Sequence, residues 1–325
     1  MQKRKVLAAG VATAFAAGFP AFLRAQTPTF PTRPIRMLVG FAAGGATDLA
    51  FRVLAANAAN IGGQPVIVEN RPGAGMVIPA RIMQSTPPDG YTIAQIAVSV
   101  FRQQYSTQGT WDPVTGLAYI IGLASYPFGL VVPTDSPWRT LEEYVAFART
   151  NPGALSYGTP GHLSSPHLTM EDLSARTGVR LNHVAYKGGS EALQALLGGH
   201  VQSVADGPIW AQHVESGRLR LLATGGASRS ERFSQIRTLR ECGYDIVQEA
   251  PFGLAAPKET DPAIVRRLHD IFKRAMEMDN YRAALKQYDL DSLYLSSERF
   301  TTFARDIVRR EKDLIDRIGR ADLRK

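Results

Sequence analysis

The sequence predicts an α/β chain built as two lobes with a cleft between them. Three observations carry that reading. Short apolar runs alternate with glycine turns and helical stretches, the order of βαβ units on a largely parallel sheet. About 300 residues follow the N-terminal leader, more than one hydrophobic core usually serves. Finally, Pro127-Phe128-Gly129-Leu130-Val131-Val132-Pro133 is nearly repeated as Pro251-Phe252-Gly253-Leu254-Ala255-Ala256-Pro257. Two such extended segments bracketing a compact block suggest strands crossing between lobes; the alternative is a chance likeness between short apolar stretches. Crossings there divide the chain into one lobe of residues 26–126 plus 253–325 and another of residues 127–252, with ligand expected in the cleft.

The chain opens on the basic Met1-Gln2-Lys3-Arg4-Lys5, an alanine-rich apolar run from Val6 to Phe19, and a small residue at Ala25. That is the order of a signal peptide, residues 1–25, cleaved after Ala25 and directing the protein to the periplasm. Gly10, Gly18 and Pro20 argue against a retained anchor, and no later stretch is apolar for long enough to span a bilayer. The leader carries Lys3, Arg4, Lys5 and Arg24 and no acid, so its removal lowers the formal net charge from +8 to +4. No Lys/Arg stripe of the kind that tracks a phosphate backbone remains, so nucleic acid is not an expected partner. Cys242 is the single cysteine, which excludes an intramolecular disulfide.

Arg33 to Val39 reads as a buried strand and Leu49 to Asn60 as a helix ended by Gly62-Gly63. Between them, Gly40-Phe41-Ala42-Ala43-Gly44-Gly45-Ala46-Thr47-Asp48 is a glycine turn. Adjacent glycines allow positive φ, and the unpaired N–H groups of a helix start suit a carboxylate or phosphate. Asp48 offers the alternative, a helix whose own carboxylate satisfies that end. Val66 to Asn70 is a strand, Arg71-Pro72-Gly73-Ala74-Gly75 a turn, Met76 to Gln84 a helix, and Tyr91 to Ala97 a strand after Pro87-Pro88-Asp89-Gly90.

The inner block repeats the pattern. Leu155 to Thr159 is a strand leading into Pro160-Gly161-His162-Leu163-Ser164-Ser165, with Ser165 as helix cap and Pro166 as first helical residue. His183 to Tyr186 is a strand, Lys187-Gly188-Gly189-Ser190 a loop with Ser190 as cap, and Glu191 to Leu197 a helix. Val201 to Asp206 is a strand ending in an acid. Such loops would converge at one edge of a sheet.

Arg33-Pro34-Ile35-Arg36, Gly44 to Asp48, Val68 to Gly75, Pro88 to Thr92, Tyr157 to Gly161, Tyr186-Lys187-Gly188 and Leu196 to Val201 together resemble the Bug family, extracytoplasmic solute-binding proteins of tripartite tricarboxylate transporters. The likeness runs through the whole chain after the leader. It implies a two-lobed, type II periplasmic-binding-protein fold that closes on a small carboxylate, with transporter membrane subunits as partners; the chain itself is expected to be a monomer. It also implies that backbone amides of two loops, one per lobe, hold the carboxylate, partly through ordered waters. By position these are Phe41 to Asp48 and Thr159 to Ser165. The ligand-binding set expected is therefore Phe41, Gly44, Gly45, Ala46, Thr47, Asp48, Thr159, Pro160, Gly161, His162, Ser164 and Ser165, extended by Arg102, Tyr186, Lys187 and Asp206. Two departures bear on specificity: Ala42-Ala43 stands where the family has prolines, and Met76-Val77-Ile78 where it has a further glycine and asparagine.

Arg102 follows the strand at Thr92 to Ala97, where its guanidinium would grip a second carboxylate; the alternative is a solvated arginine. Lys187 and Asp206 are charge-reading positions or, alternatively, a solvated lysine and a capping aspartate. A hydrolase would use Ser164 or Ser165 with His167 and Asp206, but no Gly-x-Ser-x-Gly elbow occurs and the serines suit capping better. The six histidines show no metal-ligand spacing, and no dinucleotide or phosphate-loop motif is present, so no metal or cofactor is expected. The reading is a receptor rather than an enzyme, with ligand sensing for a membrane signalling protein as the alternative to uptake. Ile264, Leu268, Ile271 and Phe272, then Phe300, Phe303, Ile307 and Val308, form apolar helix faces for the first lobe, while Arg309 to Asp313 reads as a solvated face.

Overall fold

The computed structural model describes residues 30–318 except 107–110 and 249. The leader at 1–25 and the tail at 319–325 lie outside the described residues. Strands β1 (Ile35–Val39), β2 (Val66–Asn70), β3 (Thr92–Ala97) and β4 (Leu117–Ser125) begin a first sheet. Strands β5 (Gly129–Pro133), β6 (Ser156–Thr159), β7 (Asn182–Ala185), β8 (Ser203–Asp206) and β9 (Leu219–Thr224) form a second, and β10 (Pro251–Pro257) and β11 (Asp291–Leu295) complete the first. The sheet orders are β11-β4-β10-β3-β1-β2 and β7-β6-β8-β5-β9.

Apart from the edge strand β11, the two sheets follow one plan. Parallel strands β2-β1-β3 and β7-β6-β8 are each followed by a reversed strand, β10 or β5, and then by β4 or β9. The two echoed segments are those reversed strands. The chain passes from the first sheet to the second between Ser125 and Gly129, at the start of the first echo, and returns to the first sheet at Pro251, the start of the second echo. The Tyr126 N–H donates to the Ala250 carbonyl at 3.0 Å and the Gly225 N–H to the Phe128 carbonyl at 3.1 Å, tying the crossings together. The echoed glycines are kept for space: a Cβ on Gly129 would strike the Trp210 ring, and one on Gly253 the Ile121 carbonyl and the Phe300 ring.

The helices are α1 (Ala46–Gly62), α2 (Ile78–Ile82), α3 (Ser99–Ser106), α4 (Leu141–Thr150), α5 (Ser165–Thr177), α6 (Gly189–Leu197), α7 (Ala211–Glu215), α8 (Pro262–Met276), α9 (Asp279–Gln287) and α10 (Ser297–Ile318). Helix α1 starts at Ala46, earlier than expected, and ends on Gly63 in the left-handed conformation. The helix expected from Met76 to Gln84 is broken into 3-10 turns around α2, because Gly75 and Met76 take φ of 62° and 72°. Both faces of β3 are buried, which is why it reads as a nearly continuous apolar run.

Each sheet carries apolar layers on both faces. Phe51, Phe252 and Phe272 lie in one layer of the first sheet and Phe101, Tyr119 and Phe300 in the other. Phe128, Tyr144 and Tyr157, then Trp210 and Phe233, do the same for the second. Helix α10 corrects the reading of the tail. Its first half packs Phe300, Ala304 and Ile307 against the first sheet, but Ile315 and Ile318 pack on Leu163 and Leu168, at the start of α5 in the second. Arg317 Nε also lies 3.1 Å from Asp172 Oδ1 of α5. Within the run expected to be solvated, Glu311 is only 5% exposed.

Candidate ligand-binding cleft

The carboxyl ends of β1, β3, β6 and β7 each lead into a helix start, of α1, α3, α5 and α6. These starts open on two adjoining cavities of about 60 and 30 Å³ that share Phe41, Tyr126, Asp206 and Gly207. The larger lies between Gly45–Thr47 of α1 and Gly188–Ser190 of α6, the smaller between Val98-Ser99 of α3 and Ser165-Pro166 of α5. Each cavity thus pairs one helix start from the first sheet with one from the second. Gly45 and Gly188 cap α1 and α6 without any side-chain hydrogen bond. First-turn N–H groups at a helix start have no intrahelical acceptor, and together with the positive end of the helix dipole they favour an anion.

The β1–α1 loop owes its shape to Asp48. Its Oδ2 accepts from the Gly44 N–H at 2.8 Å and from Arg52 Nε at 2.9 Å, and its Oδ1 from Asn70 Nδ2 at 2.7 Å. Asn70 Nδ2 also donates to the Phe41 carbonyl at 3.0 Å. Asp48 is 1% exposed. Burial pushes its pKa up, but the hydrogen bonds from Arg52, Asn70 and Gly44 outweigh burial and hold it below the usual carboxylate range. Asp48 and Gly44 therefore shape the loop from behind, while Phe41, Gly45, Ala46 and Thr47 face the cavity. Positive φ falls on Gly44, at 80°, and not on Gly45, at −73°.

In the second loop, Thr159 Oγ1 lies 2.7 Å from His183 Nε2 and bonds the backbone of Gly161, whose φ is 148°. The helix cap is Ser164, one residue earlier than expected, accepting from the His167 N–H at 3.4 Å. Pro160 and Ser165 reach the cavity; Thr159, Gly161 and Ser164 hold the loop. The ring of Tyr186 packs over Gly158, and Lys187 and His162 are exposed away from both cavities. The cap of α6 is Gly188 rather than Ser190.

Arg102 is the main correction. It is 2% exposed, and its guanidinium is held by both oxygens of Glu311 in α10, by the Leu163 carbonyl at 2.9 Å and by Ser165 Oγ at 3.0 Å. It lines neither of the two cavities and is not solvated; it borders a separate cavity of about 200 Å³ between α5 and α10, where α10 brings an acid to it from far along the chain. Asp206 does reach both cavities. Its Oδ1 accepts from the Gly207 N–H at 2.7 Å, and its Oδ2 lies where a Cβ on Gly189 would sit. Burial raises its pKa to about 7.

Ser99, Tyr126, Gly188-Gly189 and Gln248 also line the cavities and were not expected there. Gly188-Gly189 repeats the glycine pair of Gly44-Gly45 and was legible; Ser99 and Gln248 carry no sequence signal. The structure also gathers His162, His167 and His183, whose ring nitrogens lie within 4.8 Å of one another, although their spacing gave no hint. The His167 and His183 rings stack at 3.8 Å with a 14° tilt, and His167 Nδ1 accepts from the Leu163 N–H at 3.0 Å. Burial, and then neighbouring imidazoles, lower their pKa values to about 2 and about 4. Among the described residues neither Ser164 nor Ser165 bonds an imidazole nitrogen of His167, as a hydrolase reading would need.

The chain matches the family described as tripartite tricarboxylate transporter family receptor over residues 50–320. It is 56% identical over 324 residues to the Cupriavidus necator UPF0065 protein in the gbd 5′ region, covering 99% of each chain. Over 257 residues it is 33% identical to protein BugT of Bordetella pertussis, covering 77% of this chain and 78% of that one. The solved periplasmic binding protein BugD matches with a TM-score of 0.83 at 27% identity, covering 89% and 99% of the two chains. A protein of R. palustris solved with adipate matches at 0.83 and 28% identity, covering 89% and 98%. The two-sheet architecture is thus the two-lobed fold of periplasmic binding proteins. Among the described residues no helix is long and apolar enough to cross a membrane.

Proposed function

Because the chain belongs to the tripartite tricarboxylate transporter receptor family, we propose that it captures a small carboxylate between its lobes and presents it to the membrane subunits of such a transporter. One observation carries this reading: two glycine-capped helix starts, one from each sheet, open on a single cavity beside Asp206. An anion there is held by backbone N–H groups of both lobes, so its binding and the closure of the lobes are one event. The lobes divide at the two crossings, near residue 127 and near residue 250, with Pro251 and Phe252 of β10 in the first lobe, and they hinge there. A relative solved with adipate supports a carboxylate as cargo. The protein acts as a monomer in the periplasm, after cleavage of residues 1–25.

A thermal-shift screen of small carboxylates against their amides tests the reading. A carboxylate that binds the native state raises the melting point by mass action, by about 2.7 kcal/mol at a hundredfold excess over Kd. Equal shifts from an acid and its fully amidated analogue would refute the anion site.

A further inference from the structure

We propose that Ser99 and Gln248 form a second subsite in the cleft, which takes an uncharged group able to both donate and accept hydrogen bonds, a hydroxyl or a primary carboxamide, carried by the same short carboxylate. This rests on the receptor reading above and narrows its ligand.

Ser99 is the first residue of α3 and 2% exposed, and its Oγ has no hydrogen-bond partner although it lines the smaller cavity. Gln248 lines the same cavity from the returning crossing, and its Nε2 is buried without a partner. Buried polar groups are nearly always satisfied in a finished protein, and an orphan costs its full desolvation, so two orphans on one cavity point to a bound group that completes them. Thr169 Oγ1 has one proton but two acceptors in reach, Gln248 Oε1 at 2.7 Å and the Ser165 carbonyl at 2.9 Å. Turning the Gln248 amide over, so that it donates to that hydroxyl, satisfies both and presents its oxygen to the cleft instead. A hydroxyl or carboxamide pairs with either face of the amide and with Ser99; a carboxylate, which only accepts, pairs with one.

Charge points the same way. Among the described residues, neither cavity is lined by a Lys, Arg or His, and Asp206 borders both. A third cavity of about 200 Å³, which shares Ser165 and Gln248 with the smaller one, is lined by Arg102, Arg176, Arg310 and Arg317; Arg102 is already paired with Glu311, and Arg176 and Arg317 with Asp172. A second ligand carboxylate in the smaller cavity would be buried with no counter-charge in that cavity's lining, an expensive arrangement, whereas a neutral polar group is not penalised. Because the cavities adjoin through Phe41, Tyr126 and Asp206, acid and neutral group sit on one short chain.

Calorimetric titration of the protein with four probes built on the same four-carbon chain tests this: butyrate, 4-hydroxybutyrate, succinamate and succinate. The hydroxy acid or the amide acid is expected to bind about tenfold more tightly than butyrate, and succinate no more tightly than butyrate. In Ser99→Ala and Gln248→Leu that advantage over butyrate, measured on the same variant, should shrink to about threefold or less. Ser99→Ala should also raise the melting point of the free protein, since it removes an unpartnered buried hydroxyl; a structural serine would lower it. Tightest binding by succinate, or an advantage that survives both substitutions, overturns the subsite and leaves the receptor reading standing. Failure of all four acids to bind folded protein counts against the receptor reading itself.

Discussion

Glu311→Ala tests how the C-terminal helix couples the two lobes. In the native protein the Arg102 guanidinium, 2% exposed, meets both oxygens of Glu311, 5% exposed, and also bonds the Leu163 carbonyl and Ser165 Oγ at the start of α5. Removing the carboxylate leaves a buried guanidinium facing only neutral acceptors, which costs about 3–5 kcal/mol. A chain of this size loses about 2 °C of melting temperature per kcal/mol, so Glu311→Ala should melt about 6–10 °C lower by calorimetry. Removing both charges, as Arg102→Met with Glu311→Leu, should cost much less than the two single changes added together, because no uncompensated charge remains. The cycle should show coupling above about 1 kcal/mol. A Glu311→Ala protein melting within about 2 °C of the parent, or a double variant as unstable as the sum, would refute the buried-pair argument.

Two further outcomes separate the roles of residues in the cleft. Gly44→Ala should destabilise by about 1–2 kcal/mol, because φ is 80° while nothing crowds its Cβ, whereas Gly45→Ala, at φ −73° with only the Ala42 carbonyl 3.5 Å from its Cβ, should be near neutral in a melt yet weaken ligand binding; the opposite order of stabilities would show the loop assignment to be wrong. Asp206 keeps its proton in the native state up to about pH 7 but loses it near pH 4 when unfolded. The native state therefore binds more protons between those values, and this group's contribution to stability falls as pH rises through the window. His167 and His183, with lowered native pKa values, act in the opposite sense, destabilising the fold as pH falls below about 6.5. Asp206→Asn should remove the Asp206 contribution alone, so its stability relative to the parent should rise from pH 4 to pH 7 by up to about 4 kcal/mol; a difference flat with pH in parallel melts would contradict the burial argument.

Local chemistry made much of this protein legible in its sequence. The strand from Arg33 to Val39, the glycine turn and the following helix could be read because apolar periodicity and glycine placement act over a few residues. The Pro-Phe-Gly-Leu echo could be read for the same reason, although only the sheets reveal that it marks the reversed strand of each lobe. Helix starts were misplaced by a residue or more at Ser164, Gly188 and Ala46, since neighbouring serines or glycines can each serve as cap and packing selects among them. Arg102, Asp48 and the imidazoles of His162, His167 and His183 were decided elsewhere. A charged side chain takes its role from what the fold brings within about 4 Å of it, and for Arg102 that is Glu311, carried on a helix that leaves the first sheet and ends against the second lobe. Ser99 and Gln248 line one cavity for the same reason: Ser99 opens α3 and Gln248 lies far along the chain, after β9, and only the tertiary fold brings both to it.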